Sequence, residues 1–227
     1  MKFSNDISVI IRCKNEERWI GHAIQSIIDT IGLCEIIIVD NNSKDKSISI
    51  VKSFAQDPKL NFDENNNYTK IKIVNLNDYS PGKSLNLGVK KATGKYLIVM
   101  SAHCVLKKIN LKKTLTNLEK YIAIFGNQNP IWRGKKIKKR YIWSHFSNKS
   151  IVNMYSKLED RFFFHNAISI FKTKTLKKYP FDEYLTAKED RYWINKQVKN
   201  KKQFLYDPAI EVDHHYTENG NTWKGLG

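Results

Sequence analysis

The sequence lacks the features that define several large classes of protein. Its three cysteines fall in no paired spacing, so neither a disulfide framework nor a zinc knuckle is predicted. No apolar run approaches the roughly 18 residues that cross a bilayer, and residues 1–6 are too short and polar for a secretion signal. We therefore expect a cytoplasmic protein in which Cys13 and Cys34 are small buried hydrophobic residues.

Two nucleotide-binding motifs are also missing. No G-x-G-x-x-G follows the first apolar segment, which disfavours a dehydrogenase, and no G-x-x-x-x-G-K-[ST] is present, which disfavours a P-loop ATPase. The sequence has no internal repeat or linker. With 227 residues, 41% of them apolar, the chain is expected to form one domain over residues 1–227, either alone or within a longer protein.

Positive charge is in excess. The chain has 39 Lys and Arg residues against 22 Asp and Glu, a formal charge of +17. Such a charge favours a nucleic acid, an anionic membrane face or a phosphorylated ligand. Residues 133–140 hold six basic residues in eight, but no helix-turn-helix or RNA-binding signature accompanies them, so a solvated face is the simpler interpretation. Salt-sensitive RNA binding would be the result that favours a nucleic-acid partner.

Two hydrophobic periods alternate through the first half. Short apolar segments rich in β-branched residues predict strands, and apolar residues at helical spacing between them predict helices. The strands are predicted at residues 7–11, 35–39, 71–74 and 96–100, and the helices at 16–31, 44–55 and 81–94. This alternation indicates an α/β fold, with a mostly parallel central sheet covered by helices on both faces.

Polar residues follow each of these four strands, at 12–16, 40–43, 75–78 and 101–104. In a parallel sheet, ligands bind at the carboxyl ends of the strands. Four separate segments are therefore expected to meet at one edge of the sheet and to form a site there.

The second half has a less regular pattern. Helices are predicted at residues 111–121 and 187–200, and extended segments at 122–125, 167–171 and 204–212. Capping residues predict two helix starts: Asn15 for the first helix, and Thr186 with Glu189 as a capping box for the last. A polar break at 56–69 is expected to be a surface loop.

Several segments resemble family 2 glycosyltransferases of GT-A fold. They are VIIRCKNEERWI, IIIVDNNSKD and GKSLNLGVKKATGKYLIVM in the first half, and PFDEYLTAKEDRYW and VDHH in the second. The resemblance covers nearly the whole chain, in the family's order and spacing. It implies a nucleotide-sugar-binding half at residues 1–104 and an acceptor-binding half at 105–227, and it is strongest for bacterial members that build capsular and other surface polysaccharides.

The resemblance implies a nucleotide end built from residues that follow the first strands. Asp40 matches the residue that contacts a uracil base, although in DNNSKD it is also placed to hold a turn. Leu85 stands where many relatives carry an arginine, so Lys83 or a residue of the 133–140 stretch is expected to supply the missing charge. The implied nucleotide-binding residues are Arg12, Asn15, Glu16, Asp40, Asn42, Lys83, Asn86 and Ser101.

The metal motif departs from the family pattern. Most members have Asp-x-Asp after the fourth strand, whereas this chain has Ser101, Ala102, His103 and Cys104. His103 stands at the second aspartate, and His214 matches a late histidine that completes the metal shell in some relatives. Two imidazoles with diphosphate oxygens and water suit Mn²⁺ better than Mg²⁺. A structural role for His103 stays open, and so does a mechanism without metal, in which cationic side chains stabilise the leaving diphosphate.

Inverting transfer requires a carboxylate that takes the proton of the acceptor hydroxyl. Two carboxylates are adjacent in the acceptor-side segment, Glu189 and Asp190. Glu189 has a structural role in the predicted capping box, whereas Asp190 lacks one and matches the family's base. Asp190 is therefore the predicted base, with Glu189 in support.

Four residues resemble acceptor-side positions of the family: Gln128, Asn166, Arg191 and Trp193. For Trp193, stacking on a sugar face and burial of the helix are both compatible with the pattern. The Gln-x-x-Arg-Trp motif and the membrane helices of processive synthases are absent from the sequence.

The expected function is the inverting, non-processive transfer of a sugar from a nucleoside diphosphate, a UDP-sugar by preference, to a surface glycan or lipid-linked glycan. Because Asp-x-Asp is missing, a catalytically degenerate domain that binds a glycan or a partner protein is the alternative. The 133–140 stretch falls on the acceptor side, where it would contact a lipid diphosphate carrier or an anionic membrane face.

Overall fold

The computed structural model describes residues 6–57, 69–139 and 141–217. The strands within these ranges are β1 (Ile7–Cys13), β2 (Glu35–Asp40), β3 (Lys70–Asn75), β4 (Tyr96–Ser101), β5 (Cys104–Lys108), β6 (Ala123–Trp132), β7 (Lys135–Lys136), β8 (Ile151–Val152), β9 (Tyr155–Ser156), β10 (Arg161–Phe162), β11 (Ile168–Lys172) and β12 (Phe204–His215). The helices are α1 (Ile20–Ile31), α2 (Ser47–Gln56), α3 (Pro81–Lys91), α4 (Leu111–Asn117), α5 (Thr173–Lys178) and α6 (Glu189–Lys199), with a 3-10 helix at Tyr141–His145.

One large sheet organises the molecule. Its strand order is β3-β2-β1-β4-β11-β6-β12-β5, with β7 beside β6 and β8 beside β12. β1 is parallel to β2 and to β4, and β2 is parallel to β3. β11 runs antiparallel to both β4 and β6, whereas β6 and β12 are parallel. The predicted α/β fold is confirmed, with the mixed directions confined to the second half.

Helices cover both faces of this sheet, because successive strand residues point to opposite sides. Val9 of β1 belongs to a buried cluster with Ile24 of α1. Its neighbour Ile10 belongs to a second cluster with Leu85 and Val89 of α3. Burial of each such large side chain stabilises the fold by about 1.5–3 kcal/mol. Leu85 is thus a core residue, and it is fully buried.

Both predicted helix caps are wrong. α1 begins at Ile20, and Asn15 instead adopts a left-handed backbone conformation with φ of 53°. Its Oδ1 accepts a hydrogen bond from the backbone N–H of Lys44 at 2.7 Å. α6 begins at Glu189 itself, after Lys188 at φ of 64°, without a side-chain cap. In both places a tertiary contact uses a side chain that local capping would have used: Asn15 with Lys44, and Glu189 with Arg12.

Several strands also differ from the sequence-based expectation, among them β5, β6 and the short strands β7 to β10. β6 extends to Trp132 because β12 runs beside it from the Phe204–Ala123 pair to the His215–Ile131 pair. β5 was not predicted, and it pairs with the end of β12. Most of the predicted loop at 56–69 lies outside the described residues, as do Arg140 and the end of the chain after 217. None of the helices within the described ranges has the length and apolar character that spanning a bilayer requires.

The start of α3 holds the segment that leads into α6. Gly82 allows this contact, since a Cβ at that position would clash with the carbonyl oxygen of Asp182. Asn86 donates to the carbonyl of Phe181 at 2.9 Å and accepts from its N–H at 3.0 Å. Ser80 Oγ donates to the Glu183 carbonyl at 2.6 Å. The side chain of Asn86 is therefore engaged in the fold, not in the site described below.

Candidate active site

A cavity of about 320 Å³ opens where β1 and β4 end. We call this edge of the sheet, at the ends of β1, β2 and β4, the carboxyl edge. More than half of the predicted site residues meet in this one cavity. Its polar lining residues are Arg12, Lys14, Glu16, Tyr79, Ser101, His103, His165, Asn166, Lys188, Glu189, Asp190, Arg191 and His214.

An ion pair joins the end of β1 to the start of α6. The Arg12 guanidinium lies 2.9 Å from Oε1 of Glu189. Burial raises the pKa of Glu189 above its ordinary value, and the charge of Asp190 adds to this, against the opposing effect of Arg12. Burial alone would lower the pKa of Arg12, but Glu189 and Asp190 keep it raised. The guanidinium therefore remains charged: it pairs with Glu189, and the nearby charge of Asp190 also favours its charged form.

Asp190 is held in the cavity wall by backbone N–H groups. Its Oδ2 accepts from the N–H of Asn166 at 3.1 Å, and its Oδ1 accepts from the N–H of Arg191 at 2.8 Å. The first turn of a helix favours a negative charge, because the unpaired N–H groups there carry partial positive charge. A carboxylate that is held in the wall of a cavity has the position that a general base needs.

The two predicted metal-ligating histidines lie side by side. The ring centroids of His103 and His214 are 4.9 Å apart. Nδ1 of His103 is 3.0 Å from Glu16 Oε1, and Nδ1 of His214 is 2.9 Å from Gln128 Oε1. With Nδ1–H donated to an oxygen, the lone pair of each ring is on Nε2, as in most metal-ligating histidines. Burial, and then the neighbouring His103, lower the pKa of His214, so its ring is neutral.

These residues fit a metal only in part. In the described part of the chain no group of three or more His, Cys, Asp or Glu side chains is arranged to hold an ion. Cys104 adds no ligand, since it is buried in the core and burial raises the pKa of its thiol. The two imidazoles therefore fit a cation whose remaining ligands come from a diphosphate and water.

The predicted nucleotide contacts beyond the cavity have structural partners in this fold. Asp40 is 4% exposed, and its Oδ1 accepts from Oγ of Ser43 at 2.6 Å. Asn42 has a left-handed backbone conformation with φ of 52°. Asp40 thus holds the turn after β2, one of the two roles that its position allows, and its contact with a uracil stays a prediction. Lys83 pairs with Asp78 and does not line the cavity.

Two of the predicted acceptor residues line the cavity and two do not. Asn166 and Arg191 do. Gln128 is fully buried and hydrogen-bonds the His214 ring. Trp193 is 3% exposed, and its Nε1 donates to the carbonyl of Tyr179 at 2.7 Å. Trp193 therefore buries the helix and does not offer a sugar-stacking face.

Sequence reasoning missed four polar lining residues: Lys14, Tyr79, His165 and Lys188. Lys14 lies near the turn after β2, and its Nζ donates to the Asn41 and Asn42 carbonyls. His165 precedes Asn166 in FHNAIS, and burial, with Arg161 and Arg191, lowers its pKa to about 3. No motif marked His165; only its place beside Asn166, ahead of a predicted strand, could have drawn attention to it.

A β3-β2-β1-β4 parallel sheet with a cavity of arginine, acids and two histidines at its carboxyl edge defines a nucleotide-binding transferase of GT-A type. The family can then be named. Residues 8–184 match the model described as glycosyl transferase family 2, and the chain belongs to that family.

Curated relatives agree with this assignment. The chain is 27% identical over 226 residues to the minor teichoic acid biosynthesis protein GgaB of Bacillus subtilis (strain 168), covering 94% of this chain and 23% of that protein. It is 25% identical over 217 residues to the GalNAc(5)-diNAcBac-PP-undecaprenol beta-1,3-glucosyltransferase of Campylobacter jejuni, covering 91% of this chain and 63% of that protein. The chain thus spans less than two thirds of the length of both relatives.

Solved structures agree on the fold. S. aureus TarS 1–349 in complex with UDP-GlcNAc has a TM-score of 0.68 at 20% identity, covering 95% of this chain and 60% of that one. The mannosyltransferase PcManGT from Pyrobaculum calidifontis, in complex with GDP-Man and Mn²⁺, has a TM-score of 0.66 at 16% identity, covering 98% of this chain and 60% of that one. Both are matches of architecture, and the GT-A fold of this chain follows from them.

Proposed function

We propose that the chain transfers a sugar, with inversion and one unit at a time, from a UDP-sugar to a surface glycan or lipid-linked glycan. The observation that carries the proposal is the place of Asp190, in a cavity that also holds Arg12 and two histidines. The relatives add support: one is named for teichoic acid biosynthesis and another for an undecaprenyl diphosphate-linked acceptor. The structural neighbour with UDP-GlcNAc supports a UDP-sugar donor.

In this reaction the acceptor hydroxyl oxygen bonds to the anomeric carbon of the donor. The bond from that carbon to the diphosphate oxygen breaks on the opposite side, and UDP leaves with the electron pair. The hydroxyl proton passes to the carboxylate of Asp190. General-base assistance of this kind contributes about 10² to 10⁴ in rate.

Positive charge beside the leaving group would stabilise UDP as it departs. Arg12, Lys14 and Arg191 line the cavity and would supply that charge. They would replace the arginine that many relatives carry at the position of Leu85. A divalent cation held by His103 and His214, Mn²⁺ in preference to Mg²⁺, would add further charge stabilisation at the diphosphate. Asn15, Glu16, Asp40, Asn42 and Ser101, all at the carboxyl edge, would then face the nucleotide.

The same proposal assigns residues 1–104 to the donor and 105–227 to the acceptor, within one cytoplasmic domain. Contact with the inner membrane face would bring the cavity to a lipid-linked acceptor. The hairpin of β6 and β7 is the candidate contact, since it carries exposed Lys135 and Lys136, with exposed Lys138 after it.

The test is a nucleotide-sugar screen by thermal shift, followed by an assay of UDP release. We expect UDP-GlcNAc, UDP-glucose or UDP-galactose to raise the Tm more than GDP-mannose does, because the turn of Asp40 suits uracil. A ligand at a hundred times its Kd adds about 2.7 kcal/mol to the free energy of unfolding. Mn²⁺ should increase the shift and EDTA should reduce it.

Three outcomes separate the parts of the proposal. Equal shifts with GDP-mannose would contradict the uracil assignment. Full activity in EDTA would contradict the metal role of His103 and His214 and favour the cationic mechanism. Binding of UDP-sugars without UDP release, on any acceptor or on water, would favour the degenerate binding domain.

A further inference from the structure

Two buried polar atoms in the cavity wall have no hydrogen-bond partner among the residues that the structure describes. They are Nε2 of His165 and Nδ2 of Asn166. The two residues are 6% and 3% exposed, and both line the cavity beside Asp190. A buried polar atom without a partner destabilises a fold. Two of them, adjacent in one wall, point to a ligand that supplies the missing partners.

The fold holds both groups in place. β11 runs antiparallel to β4, so the residues just before β11 lie at the carboxyl edge. Oδ1 of Asn166 accepts a hydrogen bond from Oγ of Ser169 at 2.8 Å. This bond orients the amide, and Nδ2 is the amide atom that has no partner among the described residues. The His165 imidazole packs against the ring of Phe163, with centroids 4.7 Å apart, and near that of Phe146 at 6.3 Å. Neither group can turn away without loss of these contacts.

The chemistry of the two groups selects a neutral hydroxyl. Nδ2 of Asn166 is a hydrogen-bond donor. Burial and the charges of Arg161 and Arg191 lower the pKa of His165 to about 3, so its ring is neutral at physiological pH and can donate or accept one bond. A sugar hydroxyl, which both donates and accepts, satisfies either state of the imidazole.

We propose that His165 Nε2 and Asn166 Nδ2 form a subsite for the acceptor sugar. The subsite binds a free hydroxyl next to the hydroxyl that attacks, and so directs the attacking oxygen toward Asp190. This inference rests on the proposed function and adds to it a binding residue, His165, and a requirement for a neighbouring pair of acceptor hydroxyls. The contact between Asn166 N–H and Asp190 Oδ2, at 3.1 Å, ties the subsite to the base.

The test compares His165→Phe, His165→Gln and the control His145→Phe in the whole chain. His145 stacks on the same Phe163 ring, with centroids 4.5 Å apart, but does not line the cavity. The acceptor probes are the p-nitrophenyl β-glycosides of glucose, galactose, N-acetylglucosamine and N-acetylgalactosamine, with the UDP-sugar that gives the fastest release. Thermal unfolding without ligand is measured for each variant.

His165→Phe is expected to raise the glycoside KM about tenfold, with a smaller change in kcat and an unchanged Tm shift by the UDP-sugar. Its own Tm should be equal to or above that of the parent, because the substitution removes an unpartnered buried nitrogen. His165→Gln, which retains a donor near Nε2, should restore most of the affinity. A lower Tm with an unchanged KM would overturn the inference and assign His165 to structure alone.

A spectroscopic measurement keeps the inference testable if no glycoside is a substrate. In a long-range ¹H–¹⁵N spectrum of the full chain with UDP, the His165 imidazole signals, identified by their loss in His165→Gln, should move on adding a glycoside. Signals that do not move with any of the four glycosides would overturn the subsite, and this result does not depend on whether the donor is a UDP-sugar. Failure of the proposed function is distinct from this, and would show as UDP-sugars that neither bind nor are cleaved.

Discussion

The two edges of the sheet use buried glutamates in opposite ways. At the amino edge, where β1, β2 and β4 begin, Glu35 is 8% exposed and accepts hydrogen bonds from Ser8 Oγ, Lys72 Nζ and Thr93 N–H. At the carboxyl edge, Glu189 is 5% exposed and pairs with Arg12. One carboxylate is surrounded by donors, whereas the other has a second carboxylate as its next neighbour in the chain.

The pKa values show the consequence. Burial alone would raise the pKa of Glu35, but hydrogen bonds from Lys72, Ser8 and Thr93 lower it below the ordinary value of 4.5. Burial and Asp190 raise the pKa of Glu189 above that same value. The charge of Glu35 is thus compensated within the fold, whereas the cavity at the carboxyl edge holds two adjacent carboxylates and polar atoms without a partner among the described residues. Such an edge is where a charged ligand can be bound.

The largest expected effect is that of Asp190→Asn. The amide has the same size but cannot take a proton, so kcat should fall by about 10² to 10⁴. The amide can keep only one of the two N–H contacts that Asp190 accepts through its two oxygens, but donor binding should survive, because Asp190 is assigned to the acceptor hydroxyl and not to the nucleotide. The measurement is UDP release at saturating acceptor, together with the Tm shift caused by the UDP-sugar.

Glu35→Gln is the matched control, the same acid-to-amide change at the other edge. It should leave kcat within about twofold, since a change far from the reacting atoms alters no transition-state contact. Retained activity in Asp190→Asn would remove the base from the proposed mechanism. A large loss of kcat in Glu35→Gln would instead show that the two edges are coupled.

The next effect is on stability, and the two glutamates should respond to pH in opposite senses. At pH 7, Glu35→Gln is expected to lower the free energy of unfolding by about 1–3 kcal/mol, because hydrogen bonds to a charged group are lost. Glu189→Gln should cost less, since the charge of Asp190 still favours the charged form of Arg12, whose side chain is 26% exposed and reaches solvent. Urea unfolding from about pH 4 to about pH 8 measures both.

The direction in which each glutamate's contribution to stability changes with pH follows from the difference between its folded and unfolded pKa. The folded pKa of Glu35 is lowered, so its stabilisation is present above 4.5 and is lost as pH falls through the folded value. The folded pKa of Glu189 is raised, so its contribution is present below 4.5 and is lost as pH rises through the folded value. The advantage of the parent over Glu35→Gln should therefore shrink in acid, and that over Glu189→Gln should shrink in base. Parallel pH curves for the two variants would contradict the contrast between the edges.

The contrast also shows what sequence reasoning can reach. The runs of Ile and Val in β1, β2 and β4 predict buried parallel strands, because the apolar pattern that marks such a strand is contained in a few consecutive residues. From parallel strands it follows that polar residues such as Arg12 and His103 meet at one edge, and the structure places both in the cavity. The fold and the location of the site can therefore be predicted from the amino-acid sequence.

The pairing of side chains within the site cannot be predicted in this way. Arg12 and Glu189 are 177 residues apart, and their contact depends on β11 inserting antiparallel between β4 and β6. The sequence predicts a capping role for Glu189, because the spacing from Thr186 is local. That spacing carries no information about the insertion of β11. His165 was missed for the same reason, since its burial and its place in the cavity come from the tertiary fold.

The smallest expected effect concerns lysines at the two edges. The hairpin of β6 and β7 at the carboxyl edge carries Lys135 and Lys136, and a cavity of about 630 Å³ at the amino edge is lined by six more lysines, among them Lys174. Lys139 is unlike them: its Nζ donates to Asn127 Oδ1 at 2.7 Å, and burial lowers its pKa. Its substitution would disturb the fold, so it is unsuitable as a probe of surface charge.

If the carboxyl edge meets the membrane, the position of a positive charge should matter more than the net charge of the protein. Lys136→Gln should weaken binding to vesicles of phosphatidylglycerol and phosphatidylcholine about fivefold, because each lysine near an anionic surface contributes about 1 kcal/mol. Lys174→Gln removes the same charge from the amino edge and should change binding by less than about twofold, since the potential decays within a Debye length. Sedimentation with vesicles at low and at physiological salt measures both variants. Equal losses would mean that binding follows the net charge of +17 and not the carboxyl edge, and the membrane contact proposed for the hairpin would then be wrong.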